Sequence, residues 1–245
     1  MGQQCSFAQE IRWLKQEKGS ATKKDIERLK KGEPIDYVVG FVNFLGCRID
    51  LLKRPFIPRP ETEFWVEQAI QKIQNPRFCI LDMFAGSGCI GIALLKACPE
   101  LCRRVDFAEK EKKFLEQIKI NAKLNGIDSK RYQVIQSDIF SNIKGKYDYI
   151  FANPPYIAES KKSKVQKSVL ENEPRSALFG GEKGLKYIRK FLKEAKNHLS
   201  PSGKIYMEFD SFQKPQISKI MRPHNFANIE FFRDQYKKWR YVVIE

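Results

Sequence analysis

A run of four residues, Asn153, Pro154, Pro155 and Tyr156, combines the groups that would hold a flat substrate carrying an NH2 group. The consecutive prolines restrict the backbone and remove two N–H donors, which leaves the Pro154 carbonyl directed outward as a free acceptor. Asn153 can present its side-chain carbonyl as a second acceptor, and Tyr156 can present a ring face for stacking. Because an NH2 group carries two hydrogens, this pair of acceptors predicts a site for an amide or an aromatic amine.

A glycine-containing loop lies upstream of the tetrapeptide, where a predicted strand gives way to a predicted helix. Glycines allow the backbone to turn tightly and let a ligand approach it closely. The loop lacks the Gly-Lys-Ser/Thr of a phosphate-binding loop. For the cofactor we expect a nucleoside without phosphates rather than NAD. The loop residues expected to contact this cofactor are Phe84, Ala85, Gly86, Ser87 and Gly88.

Two acidic residues stand at the ends of the next two predicted strands. Glu109 follows the loop by about 20 residues, a position from which a carboxylate can accept both hydroxyls of a ribose. Asp138 can accept a hydrogen bond from an adenine amine, and Ile139 can pack on the base. Asp138 alone is equally compatible with a capping role at the start of a short helix.

The elements that must position these residues alternate between strands and helices from residue 62 onward. The predicted helices are residues 62–74, 89–97, 111–125 and 185–199, and the predicted strands are residues 78–84, 105–108, 132–136, 147–152, 204–209, 228–232 and 240–244. Helical crossovers imply a parallel sheet with helices on both faces and a site at the carboxyl ends of the strands. The short loop between the last two strands implies an antiparallel strand at that edge. The predicted fold class is therefore α/β, with a seven-stranded, mostly parallel sheet.

The N-terminal region is polar and predicts short helices. Ile11 and Leu14 form one narrow apolar stripe, and Ile26 and Leu29 form another. Residues 37–52 predict a β-hairpin and residues 54–60 a stiff, extended linker. The predicted organisation is a helical segment at residues 1–36, a hairpin and linker at residues 37–58, and the main domain at residues 59–245.

Composition indicates a basic chain, with 45 Lys and Arg against 29 Asp and Glu and a net charge of +16. This surplus is compatible with an anionic partner and equally with a generally basic, solvated surface. The six cysteines form no Cys-x-x-Cys pair and only two histidines accompany them, so no metal site is expected. We find no signal peptide and no apolar run of membrane length, which predicts a cytoplasmic protein without membrane contact.

With these motifs in this order, the sequence resembles the protein-glutamine methyltransferases that modify peptide chain release factors. The resemblance extends from about Gly32 to the C terminus. Besides the tetrapeptide it rests on residues 57–63, on residues 173–181, and on Glu208, Gln213 and Arg240. The Asn-Pro-Pro-Tyr motif by itself is shared with adenine methyltransferases of DNA and RNA, so the two flanking segments are what favour the glutamine branch.

The resemblance implies a class I, Rossmann-like methyltransferase fold, S-adenosylmethionine as cofactor and S-adenosylhomocysteine as its product. The implied reaction methylates the side-chain amide nitrogen of the glutamine in a Gly-Gly-Gln loop. The implied catalytic and substrate-binding residues are Asn153, Pro154, Pro155 and Tyr156, with Arg59, Glu61 and Thr62 as further substrate contacts. Asn153 is also expected to touch the cofactor, together with the loop residues, Glu109, Asp138 and Ile139.

Two features depart from the family pattern. Phe84 stands where the glycine loop usually begins with Gly, as also occurs in methyltransferases of nucleic-acid amines. Only about 35 residues precede the shared region, where the family carries a larger helical domain that grips the release factor. We expect a release factor as partner, nucleic acid as a secondary possibility and a monomeric enzyme. The alternatives left open are an adenine methyltransferase, a glutamine methyltransferase of a ribosomal protein, and an inactive cofactor-binding module.

Overall fold

A seven-stranded sheet forms the centre of the computed structural model, which describes residues 6–73, 77–224 and 226–245. In chain order the strands are β1 (Phe41–Phe44), β2 (Cys47–Asp50), β3 (Phe78–Met83), β4 (Cys102–Glu109), β5 (Tyr132–Gln136), β6 (Tyr147–Ala152), β7 (Leu199–Glu208), β8 (Ile229–Arg233) and β9 (Trp239–Ile244). Strands β1 and β2 form a separate antiparallel hairpin, and the other seven pair in the order β5-β4-β3-β6-β7-β9-β8.

The sheet is parallel from β5 through β7, and its remaining pairs are antiparallel. Strand β9 runs antiparallel to both neighbours and lies between them, which leaves β8 outermost. Only residues 234–238 separate β8 from β9, and so short a connection can join strands only in antiparallel pairing. The predicted α/β sheet with an antiparallel edge is confirmed.

Ten α-helices are present in the described part of the chain. They are α1 (Phe7–Lys18), α2 (Lys23–Lys30), α3 (Ile35–Val39), α4 (Pro60–Lys72), α5 (Cys89–Ala97), α6 (Lys112–Leu124), α7 (Lys167–Asn172), α8 (Arg175–Leu178), α9 (Lys186–Ala195) and α10 (Lys214–Met221). Short 3-10 segments lie at Ser129–Arg131, Glu159–Lys164, Lys196–His198, Ser211–Gln213 and Arg222–His224. No described helix combines the length and apolarity needed to cross a bilayer.

Two hydrophobic cores flank the sheet because successive strand residues face opposite sides. Ile80 and Phe151 belong to the core beneath α4, α5, α6 and the hairpin, whereas Leu81 and Ile150 belong to the core beneath α9 and α10. Burial on both faces explains why the central strands are apolar throughout rather than alternating. This arrangement directs the carboxyl ends of β3, β4, β5 and β6 to one edge of the sheet.

The structure changes several predicted boundaries. Residues 37–39 belong to α3 instead of the hairpin, and Gly40, with a φ of 96°, ends this helix in the left-handed region. Pro60, predicted as the end of the linker, is instead the first residue of α4, because proline is well suited to the first position of a helix. Residue 199 starts β7, since α9 ends at Ala195 and a 3-10 turn follows. Residue 74, the predicted end of the helix after the linker, lies outside the described residues.

The N-terminal helices pack around a small core of their own. Leu14 and Leu29, the predicted apolar contacts of α1 and α2, are buried there with Val38 and Val39 of α3. Residues 1–5 of the predicted helical segment lie outside the described residues, and the division of the chain at residues 36 and 58 remains a prediction.

The hairpin is joined to the main domain by side-chain amides of α6. Gln117 accepts from the Lys53 N–H at 2.7 Å, and Asn121 accepts from the Asp50 N–H at 2.8 Å. Both amides also donate to the Asp50 carbonyl, at 2.8 and 3.2 Å. Because both side chains are fully buried, these bonds satisfy groups that would otherwise lack partners and attach the hairpin rigidly to the domain.

Candidate active site

A cleft opens at the carboxyl ends of β3, β4, β5 and β6, where parallel α/β sheets place their sites. The space of the cleft is ≈ 1180 Å³ when its open mouth is included. The predicted site residues that line it are Phe84, Ala85, Gly86, Ser87, Glu109, Asp138, Ile139, Asn153, Pro154, Pro155, Tyr156 and Thr62. Gly88, Arg59 and Glu61 were predicted with them but are not among the lining residues.

The loop after β3 is held in an unusual backbone conformation. Phe84, Gly86 and Gly88 have φ angles of 61°, 55° and 78°, all in the left-handed region. This geometry explains why glycine is usual at the position of Phe84, since a side chain is strained there. The Phe84 ring lies 6.3 Å from Tyr187 and 6.2 Å from Phe191 between ring centroids, so packing offsets part of that strain.

Gly88 has a packing role rather than a place in the cleft wall. A Cβ built on it would lie 3.2 Å from the Ile118 side chain of α6 and 3.3 Å from Ile92 of α5. Gly91 is tighter still, because an added Cβ would come within 2.3 Å of the Phe107 ring on β4. These glycines therefore allow α5 to approach the sheet closely, which places the loop residues at the cleft.

Glu109 joins the glycine loop to the end of β4. Its Oε2 accepts from the Gly86 N–H at 2.9 Å, and its Oε1 accepts from the Glu111 N–H at 2.8 Å. Burial raises the pKa of Glu109, and these backbone donors act against that increase. Each carboxylate oxygen keeps a free lone pair, so the group can still accept from two neighbouring hydroxyls in the cleft.

Ile139 and Asp138 form the wall after β5. Ile139 is buried with a φ of 57°, and Asp138 is exposed with its carboxylate accepting from Lys110 Nζ at 3.0 Å. Residues 138–142 form a turn rather than a helix, so the alternative in which Asp138 caps a helix is wrong. An apolar side chain beside an exposed acceptor suits the flat face and the amine edge of a purine base.

The tetrapeptide after β6 has its two predicted acceptors available. Asn153 Nδ2 donates to Thr62 Oγ1 at 3.3 Å, which turns the amide oxygen away from Thr62. Within the described residues, no donor bonds to the Pro154 carbonyl oxygen. Tyr156 donates its hydroxyl to Glu208 Oε1 at 2.9 Å and contributes its ring to the cleft wall.

A second loop supports the tetrapeptide from the outside. The Ile157 N–H donates to the Leu178 carbonyl and the Gly180 N–H donates to the Ile157 carbonyl, both at 2.9 Å. Gln213 Nε2 donates to the carbonyls of Tyr156 and Gly184, at 2.9 and 3.1 Å. The segment at residues 173–181 and Gln213, which the sequence associates with the site only through resemblance, therefore hold the tetrapeptide in place.

Arg59 anchors the linker instead of lining the cleft. Its guanidinium donates to Glu173 Oε1 at 2.5 Å, and the Ile57 N–H donates to Glu173 Oε2 at 3.2 Å. The Glu173 side chain is fully buried, so the linker and the segment after the tetrapeptide are clamped together. Glu61 is partly exposed in the first turn of α4. Of the three residues predicted as additional substrate contacts, only Thr62 faces the cleft.

Sequence reasoning missed several residues that line the cleft. The missed lining residues include Phe56, Pro58, Ser176, Ala177, Leu178, Lys110 and Tyr187. The first five belong to or adjoin the two segments at residues 57–63 and 173–181, whose resemblance to a family was the one available signal. The two segments come together at the cleft because Glu173 bonds to Arg59 and to the Ile57 N–H. The spacing of residues in the sequence gives no sign of this contact between distant parts of the chain.

Comparison with known proteins adds independent information. A sequence model of the methyltransferase small domain family matches residues 67–243. A release factor glutamine methyltransferase of Streptococcus pneumoniae is 34% identical over 220 residues, which cover 89% of this chain and 77% of that protein. One from Thermodesulfovibrio yellowstonii is 36% identical over 223 residues, with coverage of 89% and 78%.

Solved structures share the fold at low sequence identity. A methyltransferase from Pyrococcus furiosus superposes with a TM-score of 0.60 at 17% identity, covering 91% of this chain and 98% of its own. A ribosomal protein L11 methylase from Lactobacillus delbrueckii subsp. bulgaricus gives a TM-score of 0.58 at 18% identity, with coverage of 78% and 80%. These similarities confirm the predicted class I, Rossmann-like methyltransferase fold.

Proposed function

The chain belongs to the release factor glutamine methyltransferase family, and on this premise we propose that it methylates the glutamine of a Gly-Gly-Gln loop in a peptide chain release factor. The methyl group comes from S-adenosylmethionine, and the acceptor is the side-chain amide nitrogen. The observation that carries the proposal is the pair of acceptors at Asn153 and Pro154, set in a cleft beside Glu109 and the glycine loop.

The cofactor fits the half of the cleft formed by the ends of β3, β4 and β5. Glu109 would accept from the ribose hydroxyls, Ile139 would pack on the adenine, and Asp138 would accept from its amine. Gly86, Gly88 and Gly91 have the Gly-x-Gly-x-x-Gly spacing that dinucleotide-binding loops also use, so the expected preference against NAD does not follow from the loop. Family membership decides the choice. When bound, S-adenosylmethionine supplies a sulfonium-activated methyl group.

Holding the amide in one orientation is the main task of the tetrapeptide. An amide nitrogen is a poor nucleophile because its lone pair is delocalised into the carbonyl. Acceptance of both N–H hydrogens, by Asn153 Oδ1 and the Pro154 carbonyl, orients the nitrogen and stabilises the positive charge that grows on it. Tyr156 offers a ring face to the flat amide. No strong base is needed before transfer, since the nitrogen becomes far more acidic once methylated.

The wall formed by the linker and residues 173–181 supports a peptide substrate. Phe56, Pro58, Ser176 and Ala177 are among the residues that line the cleft. These four side chains are small or apolar. Such a surface suits a narrow, uncharged peptide loop better than a phosphate backbone, which basic side chains usually contact.

A labelling experiment tests the proposal directly. Purified protein is incubated with methyl-labelled S-adenosylmethionine and a release factor, either wild type or with Gln→Ala in its Gly-Gly-Gln loop. We expect label in the wild-type factor alone. Equal label in both factors, or label only in added RNA or DNA, overturns the assignment and favours a different acceptor or an adenine methyltransferase.

A further inference from the structure

Glu208 is a buried carboxylate at the end of β7 that receives three hydrogen bonds from residues beside the site. Thr62 Oγ1 and Trp65 Nε1 both donate to its Oε2 at 2.7 Å, and Tyr156 donates to its Oε1 at 2.9 Å. Glu208 is 1% exposed, so its carboxylate is withdrawn from bulk solvent. The resemblance assigns Glu208 no role, and it does not line the cleft.

The direction of these bonds follows from the groups themselves. An indole N–H can only donate, so Glu208 Oε2 must act as an acceptor toward Trp65. An ionised carboxylate has no hydrogen to give, which makes Thr62 and Tyr156 donors as well. Burial raises the pKa of Glu208, and the three donors and the positive charge of Arg240 act against that increase.

The single hydroxyl hydrogen of Thr62 determines what Asn153 can present to it. Because that hydrogen is donated to Glu208, only lone pairs of Thr62 Oγ1 face the Asn153 amide at 3.3 Å. An amide oxygen placed there would meet another acceptor, whereas the amide NH2 finds a partner. The Asn153 amide is thereby held with its NH2 toward Thr62 and its oxygen on the other side.

From this chain of bonds we propose that Glu208 and Thr62 are positioning residues that set the orientation of the Asn153 amide, and through it the selectivity of the site for NH2-bearing acceptors. The proposal rests on the function proposed above. With Asn153 Oδ1 and the Pro154 carbonyl both acting as acceptors, a glutamine amide is bound and a glutamate carboxylate is repelled. Were the Asn153 amide reversed, its NH2 would face the substrate NH2 and one acceptor would be lost.

The test uses an isosteric pair of variants at Thr62. Thr62→Val keeps the shape and removes the hydroxyl, whereas Thr62→Ser keeps the hydroxyl as the matched control. We expect Thr62→Val to lower kcat by about 10- to 100-fold, with the Kd of S-adenosylmethionine and the Tm close to wild type. Thr62→Ser should retain most of the activity. Glu208→Gln, which puts an amide among three donors, should also lower kcat.

A double-mutant cycle separates positioning from general structural support. In an Asn153→Ala background, Thr62→Val should cost no further activity, within about twofold, because Thr62 acts through the removed amide. An equal fold-loss of activity from Thr62→Val in both backgrounds overturns the proposal that Thr62 acts through Asn153. Full activity of Thr62→Val in the wild-type background overturns it as well.

A measurement that does not depend on turnover tests the positioning of Asn153 by Thr62 separately from the proposed function. In the 15N NMR spectrum, the Asn153 side-chain NH2, assigned by its loss in Asn153→Asp, should be protected from hydrogen exchange in wild type and Thr62→Ser. It should exchange faster in Thr62→Val. If the Asn153 NH2 is protected but no release factor is methylated, the proposed substrate is wrong and the positioning of Asn153 by Thr62 is supported. If a release factor is methylated but the NH2 is unprotected, only the positioning by Thr62 is contradicted.

Discussion

Arg59 and Glu173, separated by 113 intervening residues, form an ion pair that closes the linker before α4 onto the segment after the tetrapeptide. The Glu173 side chain is fully buried, and the Arg59 side chain is 29% exposed. Since residues of the linker and of this segment both line the cleft, the pair helps to set the shape of the proposed substrate side.

Arg59→Ala should destabilise the protein by about 3 kcal/mol, because it leaves the Glu173 carboxylate buried without its cation. Urea unfolding at neutral pH measures the change in unfolding free energy. The double variant Arg59→Ala with Glu173→Gln should recover part of the loss, since it also removes the charge. If Arg59→Ala is as stable as wild type, the Arg59–Glu173 pair contributes nothing to the free energy of unfolding.

Asn153→Ala should reduce methylation of the release factor by ~100-fold or more, the scale of losing one preorganised polar contact in the transition state. Binding of S-adenosylmethionine, measured by calorimetry, should persist because the glycine loop and Glu109 are untouched. Near-normal turnover of the variant would refute the assigned role of Asn153.

Gly180→Ala should displace the tetrapeptide, because an added Cβ would come within 2.4 Å of the Pro155 carbonyl oxygen and 2.7 Å of the Gly184 oxygen. Both obstacles are backbone atoms, so relief requires the loop itself to move. We expect a loss of about 1–3 kcal/mol in unfolding free energy and a lower kcat. Gly145→Ala, whose Cβ would lie 3.3 Å from the Tyr147 ring, is the control and should leave kcat unchanged.

Glu109→Gln should weaken binding of S-adenosylmethionine by about 10- to 100-fold, the usual range for losing hydrogen bonds to a charged acceptor. The amide keeps one acceptor oxygen where the carboxylate has two, so either the glycine loop or the ribose loses a partner. Calorimetric titration measures the Kd. Glu116→Gln on the surface of α6 is the matched charge control, and an equal effect of the two substitutions would remove the case for a specific contact.

The stability of the N-terminal region should depend on Glu33 and on pH. Hydrogen bonds from Arg28 and Arg54 lower the pKa of Glu33 from 4.5 to about 2. A carboxyl with a depressed native pKa stabilises the fold fully above its unfolded value, and this contribution is lost as pH falls from 4.5 toward 2. The difference in unfolding free energy between wild type and Glu33→Gln should therefore be present at neutral pH and vanish near pH 2.

The control for this prediction is Glu27→Gln on α2, the helix that carries Arg28. Glu27 is exposed, and within the described residues no hydrogen bond or ion pair involves its side chain. Its substitution should leave stability nearly unchanged across the same pH range. A Glu33→Gln difference that persists undiminished at the acidic end would contradict the ionic origin of the effect.

Local patterns in the sequence were sufficient for most of the fold and for the centre of the site. The bounds of β5, β6 and α5 agree with the prediction, because a continuous apolar run or an apolar helix is encoded by neighbouring residues. The expected positions of Glu109 and Asn153 at the carboxyl ends of their strands follow from the same patterns and the parallel topology. The segment at residues 37–39 was mistaken for strand, since its β-branched and aromatic residues are common in strands and tertiary packing there favours a helix.

Tertiary structure alone decided which residues act on the tetrapeptide. Thr62, Glu208 and Gln213 reach it from α4, the end of β7 and a 3-10 turn, after helices have packed on opposite faces of the sheet. Arg59 has the residue type of a substrate contact, yet its guanidinium forms an ion pair with Glu173. Periodicity and spacing describe a chain over one or two turns or strands, whereas hydrogen bonds across 50 to 150 residues depend on how whole elements pack. For that reason the sequence locates the tetrapeptide, and only the folded structure shows which distant side chains contact it.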